Sequence, residues 1–96
     1  MPSIRALRWD PWNANHIAVH GVTLDDVEEV CSNDPMFSQS YGGRIRVIGP
    51  TSSGRILTVI LAPEAGDVYY PITARPASRG EHRRYQEMTE GRDDGN

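Results

Sequence analysis

Residues 55–62 read Arg-Ile-Leu-Thr-Val-Ile-Leu-Ala. A run this dense in β-branched and apolar residues reads as a strand covered on both faces, and as the centre of a sheet. The rest of a 96-residue chain must then supply partner strands and helices to cover them. That is enough for one small domain. Apolar residues make up 38 % and charged residues 24 %, which suits a folded domain with a modest core rather than a disordered chain.

The segments around the central run have their own signals. Val68 to Arg75 reads as the next strand, reached through a hairpin loop at 63–67 with Gly66. Pro71 removes one ladder donor from it, so that strand is an edge or carries a bulge. Arg44 to Val47 alternates and runs to Gly49-Pro50, a strand with one wet face, and 51–54 is turn chemistry. Met36 to Tyr41 is a further candidate strand. Before residue 35 the period is helical. Asp10-Pro11 starts a helix over 11–19, with the carboxylate as cap and proline where no donor is needed. Gly21 ends it in a left-handed conformation. Thr23 and Asp26 form a capping box for a second helix, and Leu24, Val27, Val30 and Cys31 make its apolar stripe. Asn33-Asp34-Pro35 stops it. Residues 4–9 are a short strand or a lead-in. Ser78, with Glu81 three residues on, opens a last helix in which Glu81, Tyr85 and Met88 share a face. The expected fold is α+β: a small antiparallel sheet of three to four strands, with two N-terminal helices and one C-terminal helix. The expected domain is 1–90, with 91–96 as a flexible tail.

Charge is uneven. The net charge is −3, with −6 in residues 10–34 and +4 in residues 35–85. This predicts two faces of opposite sign, of which the basic one suits phosphates. Every basic residue is arginine, which binds and neutralises phosphate but never serves as a base. No apolar run approaches the roughly 20 residues of a membrane helix, so no membrane span is expected. The opening Met-Pro-Ser-Ile-Arg-Ala-Leu-Arg has no apolar leader core. With Cys31 as the one cysteine, a reducing, cytoplasmic setting is expected.

Three constellations bear on chemistry. His16 and His20 have the i, i+4 spacing of a metal pair, but the residues between them are Ile, Ala and Val and no third ligand is near in sequence, so no metal or other cofactor is expected. Cys31 sits at a helix C-terminus among acids, which suits a buried structural thiol rather than a nucleophile. Arg55 opens the central strand, Arg75 closes its neighbour, and Tyr85 follows on the last helix. A hairpin brings Arg55 and Arg75 to one end of the sheet, where two guanidiniums and a phenol suit phosphoryl chemistry. Register decides whether they share a face. The same residues also fit rim arginines and a half-buried core tyrosine.

The ordered set Trp9-Asp10, Asn15, His20-Gly21-Val22, Asp34-Pro35, Gly54-Arg55-Ile56-Leu57 and Ala-Arg-x-Ala-Ser-x-x-Glu-x-x-x-Tyr at 74–85 resembles the BrnT family of bacterial toxins. The resemblance covers residues 9–87. It implies a fold like the RelE ribonuclease toxins. It implies a metal-independent endoribonuclease that cleaves mRNA and arrests translation, with an RNA 2′-hydroxyl attacking the adjacent phosphate. It also implies a BrnA-type antitoxin partner with a ribbon-helix-helix part, through which DNA is met only indirectly. In that scheme Arg55, Arg75, Tyr85 and His20 are catalytic, and Arg44, Arg46 and Arg79 hold flanking phosphates. Val19 stands where the family has lysine, and Ala14 and Ala18 stand where charges are common. These losses motivate an alternative: a catalytically weak or inactive module that binds an antitoxin-like partner and acts in transcriptional autoregulation.

Overall fold

Ile56–Pro63 forms the middle strand of a five-stranded sheet. The structure is a computed structural model and describes the backbone of residues 3–94 and the side chains of residues 3–90. In chain order the elements are β1 (Ala6–Leu7), α1 (Pro11–Ala18), α2 (Leu24–Ser32), β2 (Met36–Gln39), β3 (Ile45–Pro50), β4 (Ile56–Pro63), β5 (Val68–Pro76) and α3 (Arg79–Asp94), and the strands lie side by side in the order β1-β5-β4-β3-β2. The class is α+β, as expected, but the sheet differs from the expectation in two ways. It has five strands rather than three to four, and it is mixed rather than antiparallel. Both differences come from β1, which pairs parallel to β5 through Ala6 opposite Val68 and Leu7 opposite Tyr69. A two-residue strand is too short for any periodicity to reveal.

Capping chemistry sets both N-terminal helices. Asp10 accepts from the Asn13 backbone N–H at 3.0 Å, and the Asn13 side chain accepts from the Asp10 N–H at 2.9 Å. Thr23 and Asp26 do the same for α2 at 3.1 and 3.0 Å. Gly21 lies between them at φ +71°, a conformation glycine adopts without strain. Tyr70 then fastens the start of α1 to β5 by donating to both carboxylate oxygens of Asp10 at 3.0 Å.

The core lies on one face of the sheet. Val47, Leu57, Val59, Leu61 and Ala74 pack under Ile17 of α1, Val22, and Val27 and Val30 of α2. Leu24, expected on the same stripe, is exposed because it opens the helix at its rim. Cys31 packs at the edge of this core, and burial pushes its thiol up to about 12, with the Glu28 charge adding to the effect. The thiolate is therefore scarce near neutrality, as expected for a structural cysteine. Pro71 sits at a bulge: the register steps from Ile60 opposite Thr73 to Leu61 opposite Pro71, leaving Ile72 as the extra residue. The opposite face carries Arg46, Thr58 and Arg75, and α3 crosses it. α3 continues through residues 91–94, the first part of the expected tail, while 95 and 96 lie outside the described residues. No helix among the described residues is long and apolar enough to cross a membrane.

Candidate functional site

Strand register decides where the expected site residues go. Arg75 is paired with Thr58, so its side chain leaves the sheet on the α3 face. There it meets Glu81, which is only 8 % exposed. Glu81 accepts from Arg75 through both terminal nitrogens, at 2.7 and 3.0 Å. It also accepts from the Thr58 hydroxyl at 2.9 Å and from the Ser78 N–H at 2.8 Å. Ser78 Oγ accepts in return from the Glu81 N–H at 3.2 Å, closing the capping box that starts α3. Arg46 reaches the same carboxylate at 3.7 Å. One buried charge thus joins β3, β4, β5 and α3.

The Arg75 guanidinium, helped by Ser78 and Thr58, holds the Glu81 carboxyl down to about 2. An unperturbed glutamate titrates at about 4.3. In the interval between these values the unfolded chain binds the extra proton. The stabilisation is therefore fully present above about pH 4.3 and is lost as the pH falls toward about 2. Urea titrations at about pH 5 and about pH 2.5 should show the protein losing about 2 kcal/mol more than its Glu81→Gln variant. Equal losses in the two proteins would show that this carboxylate is not the titrating group.

Arg55 takes the other side. Its side chain lies toward α2, where it donates to the Gly21 carbonyl at 3.1 Å and approaches Asp26 at 3.8 Å. His20 immediately precedes Gly21 and is exposed. The four expected catalytic residues therefore fall into two pairs on opposite faces: Arg55 with His20, and Arg75 with Tyr85. Both pairs sit at one end of the sheet, where Leu57 pairs with Pro76 and the Ala77 N–H bonds the Ile56 carbonyl at 2.9 Å. Tyr85 is half-buried and lines an open groove of about 270 Å³ with Ile56, His82, Gln86, Thr89 and Glu90.

The chain has the fold of a solved toxin. No protein-family model and no curated protein matches it. Among solved structures it is similar to the crystal structure of the Brucella abortus ribonuclease toxin BrnT, with 26 % identity and a TM-score of 0.61, over 80 % of this chain and 100 % of that one. The fold is BrnT-like.

On this BrnT-like frame the three expected phosphate-binding arginines also divide. Arg46 joins Arg75 at Glu81, and Arg79 is the exposed first residue of α3. Arg44 does not join them. It precedes Ile45, which pairs with Leu61, so it lies at the far end of the sheet, roughly 20 Å of strand from Arg55. His16 and His20 meet edge to face, with ring centroids 6.1 Å apart. Among the described residues, no group of three or more His, Cys, Asp or Glu side chains is placed to hold a metal ion. Two features of this region leave little trace in the sequence. Glu81 was legible as a cap but not as the centre of a four-element network. Trp12 stacks on His16 at 5.0 Å and an interplanar angle of 6°, a contact whose only sequence trace is the spacing 12, 16, 20.

Proposed function

We propose that this chain is the toxin of a toxin–antitoxin pair, acting in the cytoplasm as a metal-independent endoribonuclease that cuts mRNA and so inhibits translation. The observation that carries the reading is its likeness to a ribonuclease toxin over the whole of that toxin's chain. The closeness of Arg55 to the His20-Gly21 turn, through the Gly21 carbonyl, supports it.

The reacting phosphate is assigned to that pair. The RNA 2′-hydroxyl attacks the adjacent phosphorus while His20 takes its proton. Imidazole suits this role because its ring nitrogen without hydrogen accepts a proton. Arg55, with a side chain 42 % exposed, neutralises the charge gathering on the non-bridging oxygens. The bond to the 5′-oxygen breaks, that oxygen takes a proton from solvent, and a 2′,3′-cyclic phosphate remains. Arg75, Arg79 and Tyr85 lie across the end of the sheet, with the Arg46 side chain reaching toward them from mid-strand, and hold the flanking nucleotides there. The Arg75 side chain is 41 % exposed, so Glu81 occupies it without enclosing it. Arg44 is too far along the sheet to join. The partner is an antitoxin of BrnA type with a ribbon-helix-helix part, and DNA is met through that partner.

A second reading has one observation in its favour: the expected catalytic residues are split between two faces, and Arg75 is committed to Glu81. In that reading the chain is an inactive module that binds an antitoxin-like partner in autoregulation. Induced expression of the chain alone separates the two. The ribonuclease is expected to arrest growth and leave cut transcripts, and the antitoxin is expected to restore growth. Normal growth with intact transcripts, in cells holding the folded protein, would favour the module.

A further inference from the structure

The exposed side of α1 and the turn after it carry three aromatic rings at i, i+4 and i+8. Trp12 is 59 % exposed and lies almost parallel to the His16 ring, and His16 in turn meets His20 edge to face. We infer that Trp12, His16 and His20 form a stacking platform for unpaired nucleobases of the RNA cut at the Arg55–His20 pair, an assignment that rests on the ribonuclease reading. Flat aromatic faces take any base, and a cation beside them takes the backbone. Both are present here. The row of rings runs toward His20, and Arg55 is anchored on the carbonyl of the next residue.

The stacked rings, with one guanidinium beside them, favour RNA over a protein for this surface. Residues 11–24 contain no carboxylate, so the row of rings carries no negative charge of its own; Asp10, Asp25 and Asp26 flank it, and Asp26 lies 3.8 Å from Arg55. Several acids of this third of the chain are engaged elsewhere. Asp10 is held by Asn13 and Tyr70, Glu28 accepts from the Trp9 indole at 3.0 Å, and Glu29 accepts from Ser52. Trp12 remains 59 % exposed while stacked on His16.

The test uses the full chain and short single-stranded oligonucleotides with 2′-O-methyl sugars, which bind without being cut. One carries bases and one of equal length is abasic. The base-bearing strand is expected to bind about tenfold more tightly and to quench tryptophan fluorescence. Trp12→Ala, checked for folding by circular dichroism, should erase the difference between the strands, and Trp12→Phe should keep most of it. Equal affinity of the native protein for both strands overturns the assignment while leaving RNA cleavage by the native protein as the measure of the ribonuclease reading. Loss of antitoxin capture by Trp12→Ala with the base preference unchanged would also overturn it, making this face a protein-docking surface. A native protein that neither binds nor cuts RNA fails both readings at once.

Discussion

Replacing His20 by alanine is expected to lower RNA cleavage by at least about 100-fold, the typical contribution of a positioned general base. His20 is exposed and its ring meets that of His16 edge to face, so fold and stability should be close to native. Arg55→Ala should cost as much or more, because holding the charge that develops on the phosphorane lowers the barrier further than moving the proton does. Arg55 also ties down the Gly21 carbonyl, so Arg55→Lys is the cleaner variant. It keeps the positive charge and loses the planar fork, and should retain part of the activity. The measurement is cleavage of a defined RNA, with circular dichroism and a melting curve alongside. Native activity in folded His20→Ala would remove the proposed base from the mechanism. Native activity in Arg55→Lys and Arg55→Ala together would move the reacting phosphate to the α3 face.

Glu81→Ala is the substitution expected to damage the fold most. It removes at once the bidentate partner of Arg75, the acceptor for Thr58 and the cap of α3. Hydrogen bonds to a charged group contribute about 1.5–3 kcal/mol each and are not additive within one network, so the loss should be about 3 kcal/mol. For a domain this small that corresponds to a melting point lower by about 15 °C. Arg75→Ala should cost less, about 1–2 kcal/mol, because its guanidinium is partly in water while Glu81 keeps Thr58 and Ser78. Activity lost in Arg75→Ala therefore mixes stability with RNA contact, and Arg75→Lys is the variant that separates them. A Glu81→Ala protein that melts with the native one would show that α3 is held to the sheet by its apolar contacts alone.

Much of this molecule is legible along the chain because its signals are local. Asp10-Pro11, Thr23 with Asp26, and Ser78 with Glu81 start their helices through bonds that span three residues. Ile56 to Ala62 reads as a central strand from composition alone. Pro71 announces an irregularity through its missing N–H, and the structure places a bulge there. The ends of α1 and α2 fall close to the positions that Gly21 and Asn33-Asp34-Pro35 suggest. The likeness to BrnT, read from motifs spread over 9–87, matches the fold.

What the tertiary structure alone decided is which neighbours those elements acquire. The pairing of Ala6 and Leu7 with Val68 and Tyr69 joins segments from opposite ends of the chain. The position of Arg75 beside Thr58, and so over Glu81, depends on a register that one slipped residue would reverse. The same register sends Arg55 to the Gly21 carbonyl and divides an apparent single site into two. Caps, turns and strand propensity are written within a few residues, so one sequence suffices to read them. Facing and register are set by contacts between segments distant in sequence, and only the packed core makes one choice lower in free energy than the rest.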